Sequence, residues 1–146
     1  MCDAPARCVA HSQKGNRMTH NERLAIFKRD LYALSSANGA MVIFNLAHDE
    51  DSFAQFSHEN IGEPLLCEVS NRSEGWNAHS LDFDQVAALR ELGYEIPSPH
   101  HQSNPHKNYS GDINTLADQV EQIFLRVFRA APDYTIVSSG AINVIQ

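Results

Sequence analysis

Three stretches of sequence determine how this chain of 146 residues folds: Phe53-Ala54-Gln55-Phe56, Leu65-Leu66-Cys67-Glu68-Val69, and Asp82-Phe83-Asp84-Gln85-Val86-Ala87-Ala88-Leu89-Arg90-Glu91-Leu92-Gly93. The first two are short apolar runs separated by turn-forming residues, which predicts a pair of antiparallel strands. The third has Asp82 three residues before Gln85 and a glycine after its last apolar position, a pattern typical of a helix capped at both ends. The three stretches therefore form a hairpin that leads into a helix, and they contain no recognisable catalytic arrangement.

The residues before the hairpin predict a tail, a helix and a further strand. Residues 1–17 have no hydrophobic period, and we interpret them as a flexible N-terminal tail. An amphipathic helix begins after Thr19 or Asn21 as its N-cap and ends near Asn38-Gly39. Its apolar positions recur at steps of three and four residues: Leu24, Phe27, Leu31 and Leu34. The run from Met41 to Ala47 is rich in β-branched and aromatic residues, which favours a strand.

Beyond the capped helix, the prolines and polar residues from Glu95 to Gly111 predict a long loop. Asp112 opens a second strong helix that extends to about Ala130, and Tyr134 to Ser138 form a last strand. The predicted fold is therefore α+β, a twisted antiparallel sheet flanked by helices, in the order α-β-β-β-α-loop-α-β. Residues 18–146 form a single domain.

Charge is unevenly distributed along the chain. The formal net charge is −7, and the stretch from Asp49 to Glu95 holds eleven carboxylates but only Arg72 and Arg90 as basic residues. Such a surface repels phosphates, so we expect neither nucleic acid nor an anionic membrane as a partner. It attracts a basic or amphipathic protein, although a solvated acidic face that keeps the protein soluble explains the same charges.

Cysteine usage and hydropathy predict a cytoplasmic protein without a membrane span or signal peptide. The three cysteines have no zinc-type spacing, and Cys67 alternates with Leu65 and Val69, which predicts a buried thiol. We expect no cofactor, because no glycine-rich phosphate loop surrounds Gly111 or Gly140.

The histidines provide one alternative. His100, His101 and His106 lie close together in the proline-rich loop, and three imidazoles can hold a catalytic zinc ion. Their spacing lacks the helical step that places two ligands on one face. We therefore expect no metal site, and keep a small metal-dependent hydrolase using these three histidines as the alternative function.

The quoted stretches, together with Leu66 to Arg72, the helix that ends at Gly93-Tyr94, and residues Asn104 to Tyr109 before a long helix, resemble the TY-Chap group. These domains are similar to type III secretion chaperones and to YbjN-like proteins. The resemblance covers roughly Asn21 to Ala131. It implies a twisted antiparallel sheet flanked by helices, a homodimer, and a non-enzymatic protein-binding function of chaperone or regulatory type.

By this resemblance, an extended segment of another protein would bind along grooves of the first helix and the sheet. The candidate contact residues are Phe27, Leu31, Phe44, Phe53 and Phe56, and the same residues also suit a hydrophobic core. Trp76, the only tryptophan, is either a lid over a sheet edge or an anchor for a partner. A sheet with apolar residues on both faces and helices on one side leaves a surface that a second copy can cover.

Overall fold

The computed structural model describes residues 17–73, 81–97 and 103–144. These residues form an α+β fold with a six-stranded antiparallel sheet and three α-helices. The strands are β1 (Ala40–Leu46), β2 (Asp49–His58), β3 (Leu65–Val69), β4 (His106–Tyr109), β5 (Ile136–Ser138) and β6 (Ile142–Asn143). The helices are α1 (His20–Ser35), α2 (Phe83–Glu91) and α3 (Ile113–Gln122), and a π-helical turn, Ile123–Val127, continues α3.

The strand order across the sheet is β4-β3-β2-β1-β5, and β6 pairs with the other end of β1 on the same side as β5. The hairpins β1–β2 and β2–β3 set this order, because neighbouring strands joined by short turns pair antiparallel. The predicted strands at Met41–Ala47, Phe53–Ser57, Leu65–Val69 and Tyr134–Ser138 are confirmed to within a few residues.

One prediction about the sheet is wrong. Residues 95–111 were expected to form a loop, but His106–Tyr109 form β4, which pairs with β3 at the edge of the sheet. Glu95 forms an isolated bridge with His106 on the other side of β4. The prolines of this segment lie outside the strand, and Pro105 still accepts a hydrogen bond from Val69 N through its carbonyl oxygen. A central proline would have disrupted the ladder, whereas one just before a strand does not.

The helix caps follow the predicted pattern. Thr19 accepts from Glu22 N while Glu22 accepts from Thr19 N, and Asp82 and Gln85 make the same reciprocal pair at α2. Gly93 follows α2 with a φ of 89°, a left-handed conformation that glycine adopts without steric cost. The first helix ends at Ser35, a turn earlier than expected. No helix within the described ranges is long and apolar enough to cross a membrane.

The core lies between one face of the sheet and the helices. Phe27 of α1 packs edge-on against Phe44 of β1 at 4.9 Å and stacks on Phe124 of the π-helical turn at 6.2 Å between ring centroids. Phe44 in turn contacts Phe56 of β2 at 6.0 Å. Aromatic pairs in these geometries stabilise a core beyond the area they bury. The helices therefore cover the face of the sheet to which Phe44 and Phe56 point.

Candidate functional site

The sheet has a second face, which we call the open face. Residues along each strand alternate between being fully buried on the helix side and being partly or largely exposed on the opposite side. No helix in the part of the chain that the structure describes packs on this opposite side. The apolar residues of the opposite side belong neither to the hydrophobic core cluster nor to the residues packed against that cluster. The open face comprises Met41, Ile43, Asn45, Phe53, Gln55, Ser57, Leu66, Glu68, His106, Asn108, Val137 and Ile142.

The strand register gathers the apolar residues of the open face around β1. Met41 lies opposite Ile142 of β6, while Asn45 lies between Phe53 of β2 and Val137 of β5. We call Met41, Ile43, Phe53, Val137 and Ile142 the apolar band. Val137 is 50% exposed and Ile142 40% exposed. Large apolar side chains next to one another on a surface are typical of a site that another molecule covers.

Apart from Leu66, the opposite half of the open face is polar. Glu68 of β3 lies between Gln55 of β2 and His106 of β4. The Gln55 amide donates weakly to the Glu68 carboxylate at 3.4 Å, and His106 Nε2 lies 3.7 Å from the Glu95 carboxylate. The open face thus has an apolar side at β1, β5 and β6 and a polar side at β3 and β4.

The structure separates the candidate contact residues into two groups. Phe27, Leu31, Phe44 and Phe56 are all 0% exposed and belong to the core, the second of the two roles that the sequence allowed. Phe53 is only partly buried and lies on the open face, beside β1. Trp76 lies outside the described residues.

Of the three histidines in the alternative metal-dependent hydrolase, the structure describes only His106. His100 and His101 lie outside the described residues. His106 Nδ1 lies 3.1 Å from the carbonyl oxygen of Asn104. Among residues 17–73, 81–97 and 103–144, no group of three or more His, Cys, Asp or Glu side chains could hold a metal ion.

Cys67 is a core residue, as the sequence predicted. Its side chain is 0% exposed, and the thiol lies 3.7 Å from the carbonyl oxygen of Leu65. Burial raises the pKa of the Cys67 thiol to about 12, although the neighbouring ammonium group of Lys107 opposes that rise. A thiol with this pKa is protonated at neutral pH, so Cys67 is unsuited to act as a nucleophile.

A pocket of about 320 Å³ lies between the end of α1, the β2–β3 turn and the start of α3. The side chains of His58 and Tyr109 make hydrogen bonds to the backbone, while the buried Nδ1 atom of His58 has no partner among the described residues. The Nε2 atom of His58 contacts the carbonyl oxygens of Leu34 and Ala37, both at 2.8 Å, and the Tyr109 hydroxyl donates to the carbonyl oxygen of Asp112. The His58 contacts connect the end of α1 to the sheet, and the Tyr109 contact connects β4 to the start of α3; both are structural roles.

The sequence did not reveal a buried ionic cluster. Arg23 and Glu121 are each 1% exposed, and Tyr134 donates to Glu121 Oε1 at 2.5 Å. Burial alone would raise the pKa of Glu121, but hydrogen bonds from Arg23, Tyr134 and His20 lower it from 4.5 to about 2. Arg23 is of a residue type that is rarely buried. Its spacing of four residues from Phe27 was the signal that it shares the buried side.

Comparisons with protein-family models, with curated proteins and with solved structures find no match to this chain. The resemblance to TY-Chap and YbjN-like domains therefore stays a prediction from the sequence. The function proposed below is therefore based on the geometry of the open face.

Proposed function

We propose that this chain is a non-enzymatic protein-binding module of chaperone or regulatory type, acting in the cytoplasm, and that a partner polypeptide covers its open face. One observation carries the proposal: all described helices pack on one side of the sheet, and the apolar band is left on the other. In a β-sandwich or a three-layered α/β protein, a further layer would cover such a band.

The exposures within the apolar band support an interaction surface more than a second core. Val137 is half exposed, whereas the inward neighbours of β1, Val42 and Phe44, are fully buried. Removing apolar surface from water contributes about 25 cal/mol for each Å² buried, so covering the band is favourable for a partner that offers apolar side chains. The polar half at Glu68 and His106 provides the rim that interfaces commonly have.

The finer identity of the fold is part of this proposal. The sequence resemblance suggests the sheet of a type III secretion chaperone-like domain, and an antiparallel sheet with helices on one face is compatible with it. In that case the occupant of the open face is either a client protein or a second copy of this chain in a homodimer. Both occupants require the apolar band to be accessible.

Affinity capture with paired variants tests the proposal. Val137→Asp places a charge in the apolar band, and Tyr32→Asp places the same charge on the outer side of α1 at a residue of nearly equal exposure, 51% against 50%. We expect wild type and Tyr32→Asp to retain the same protein, or the same dimer by light scattering, and Val137→Asp to lose it. Equal retention by all three baits would contradict a role for the open face.

A further inference from the structure

Resting on the function proposed above, we propose that the occupant of the open face is an amphipathic helix of another protein, with an apolar stripe flanked by lysine or arginine. Two independent observations lead to this occupant. One is the sign of the charges around the apolar band, and the other is the width of the band.

The positive charges of the described residues lie mainly on the helix side of the sheet. Five arginines there pair with carboxylates: Arg17 with Asp133, Arg23 with Glu121, Arg29 with Asp30, Arg126 with Glu91, and Arg129 with Asp82. Lys107, although it lies on β4, shares the inward side with Cys67, its cross-strand neighbour, and donates to the carbonyl of Leu92 and to Gln119. The helix side thus neutralises many of its own carboxylates.

The open face has the opposite balance. Its described strand positions include Glu68 but no lysine or arginine, and Asp51 is exposed at the start of β2, next to Phe53. Glu59 is exposed just past the other end of β2. The structure gives these three carboxylates no ion pair with lysine or arginine among the described residues. Carboxylates around an apolar surface favour a partner with complementary positive charge.

The dimensions of the band suit one helix. It spans β2, β1 and the β5/β6 side, two inter-strand spacings or about 10 Å in all. Met41 to Asn45 extend about 14 Å along β1 at the rise of an antiparallel strand. An α-helix with its side chains is about 10–12 Å across. Two to three turns of a helix therefore cover the band and bring flanking residues over Glu68 and Asp51.

The same charges disfavour a second copy of this chain as the occupant of the open face. A two-fold dimer through this face would place the same patch on both sides, because a C2 interface is self-complementary. Glu68 and Asp51 of both copies would then be enclosed with no lysine or arginine on either face to neutralise them. Like charges brought together lower the affinity of an interface.

Two synthetic peptides of the same length test the inference directly: an 18-residue amphipathic helix with a leucine stripe and lysine flanks, and the same helix with glutamate flanks. Each peptide is fluorescently labelled, and its binding to the full chain is followed by anisotropy in 50 mM and 500 mM NaCl. We expect the lysine peptide to bind at least about tenfold more tightly than the glutamate peptide, and to weaken several-fold at the higher salt concentration because screening acts on exposed charges.

Two pairs of variants locate the binding. Glu68→Lys should weaken the lysine peptide about tenfold, whereas Asp118→Lys, at an exposed carboxylate of α3, should change it less than about twofold. Val137→Asp should abolish binding and Tyr32→Asp should not. Circular dichroism first establishes that each variant is folded.

The outcomes separate this inference from the function on which it rests. Equal binding of both peptides, lost in Val137→Asp, would overturn the charge preference while supporting a protein-binding open face. A wild-type dimer that Val137→Asp dissociates would identify a second copy as the occupant, and would overturn the inference in the same way. Failure of both peptides to bind would overturn the proposal that the occupant is an amphipathic helix. The proposed protein-binding function would fail only if the Val137→Asp and Tyr32→Asp baits also retained the same proteins.

Discussion

Arg23 of α1 and Glu121 of α3 form a two-point ion pair in the interior, with Nε to Oε1 at 2.9 Å and Nη2 to Oε2 at 2.7 Å. The remaining donors of Arg23 bind the carbonyl oxygens of Met18, Pro132 and Tyr134. The pair therefore joins the start of α1, the end of α3 and the segment before β5. It holds α1 and α3 together within the layer that covers the helix side of the sheet.

Removing one partner of this pair should be costly. Glu121→Gln leaves the charge of Arg23 buried without a counterion, and we expect the free energy of unfolding to fall by about 3–5 kcal/mol. The exposed pair between Glu91 and Arg126 is the control, because Glu91→Gln should cost less than about 1 kcal/mol. Urea unfolding followed by circular dichroism measures both. A loss below about 1 kcal/mol in Glu121→Gln would show that the pair has no stabilising role.

The Glu121 carboxylate should make the free energy of unfolding depend on pH. The folded-state pKa of Glu121, about 2, lies below its ordinary value of 4.5, so its contribution is fully present above pH 4.5 and is lost as the pH falls towards 2. We expect the difference in unfolding free energy between wild type and Glu121→Gln to be constant from pH 5 to 7 and to shrink below pH 4.5. A difference that does not change down to pH 3 would contradict this linkage.

The two faces of β2 should respond differently to truncation. Phe56 points into the core and is 0% exposed, so Phe56→Ala should lower the free energy of unfolding by about 3–5 kcal/mol. Phe53 is partly buried on the open face, and we expect Phe53→Ala to cost about 1 kcal/mol or less. Chemical denaturation of both variants gives the comparison. Equal losses would mean that the open face is covered by part of the same chain.

Cys67 should be chemically silent in the folded protein. With Cys2 and Cys8 replaced by serine, the remaining thiol is fully buried and its pKa is about 12. We expect no reaction with a disulfide reagent at pH 8 over minutes, and full reaction once urea unfolds the chain. Rapid labelling under native conditions would contradict the position of Cys67 in the core.

Much of the fold follows from local sequence signals. The capping box at Asp82, the N-cap at Thr19, which was one of two candidates with Asn21, and the alternating strand Leu65–Val69 were predicted because caps and period-two alternation depend on neighbouring residues. Strand β4 was missed because prolines precede it and its four residues, His106–Tyr109, have no strand period of their own, so that only pairing with β3 makes it a strand. The α3 helix was expected to extend to about Ala130, but it changes to π-helical hydrogen bonding at Ile123.

The candidate site depends on information that the sequence does not contain locally. Val137 and Ile142 join the apolar band only because β5 and β6 pair with β1, about a hundred residues earlier in the chain. The phenylalanines proposed from the sequence were mostly in the core, because an aromatic residue in a strand pattern does not indicate which face of the sheet is covered. Phe53 alone of that set lies on the open face.

Site-specific photocrosslinking in cells tests the central claim most directly. A benzophenone amino acid is incorporated at Val137 in the apolar band or at Tyr32 on α1, and crosslinked products are resolved by mass after irradiation. We expect the position 137 probe to form one discrete adduct with another polypeptide, and the position 32 probe to form none. The same adducts from both positions, or none from position 137, would contradict the open face as the surface through which this protein acts.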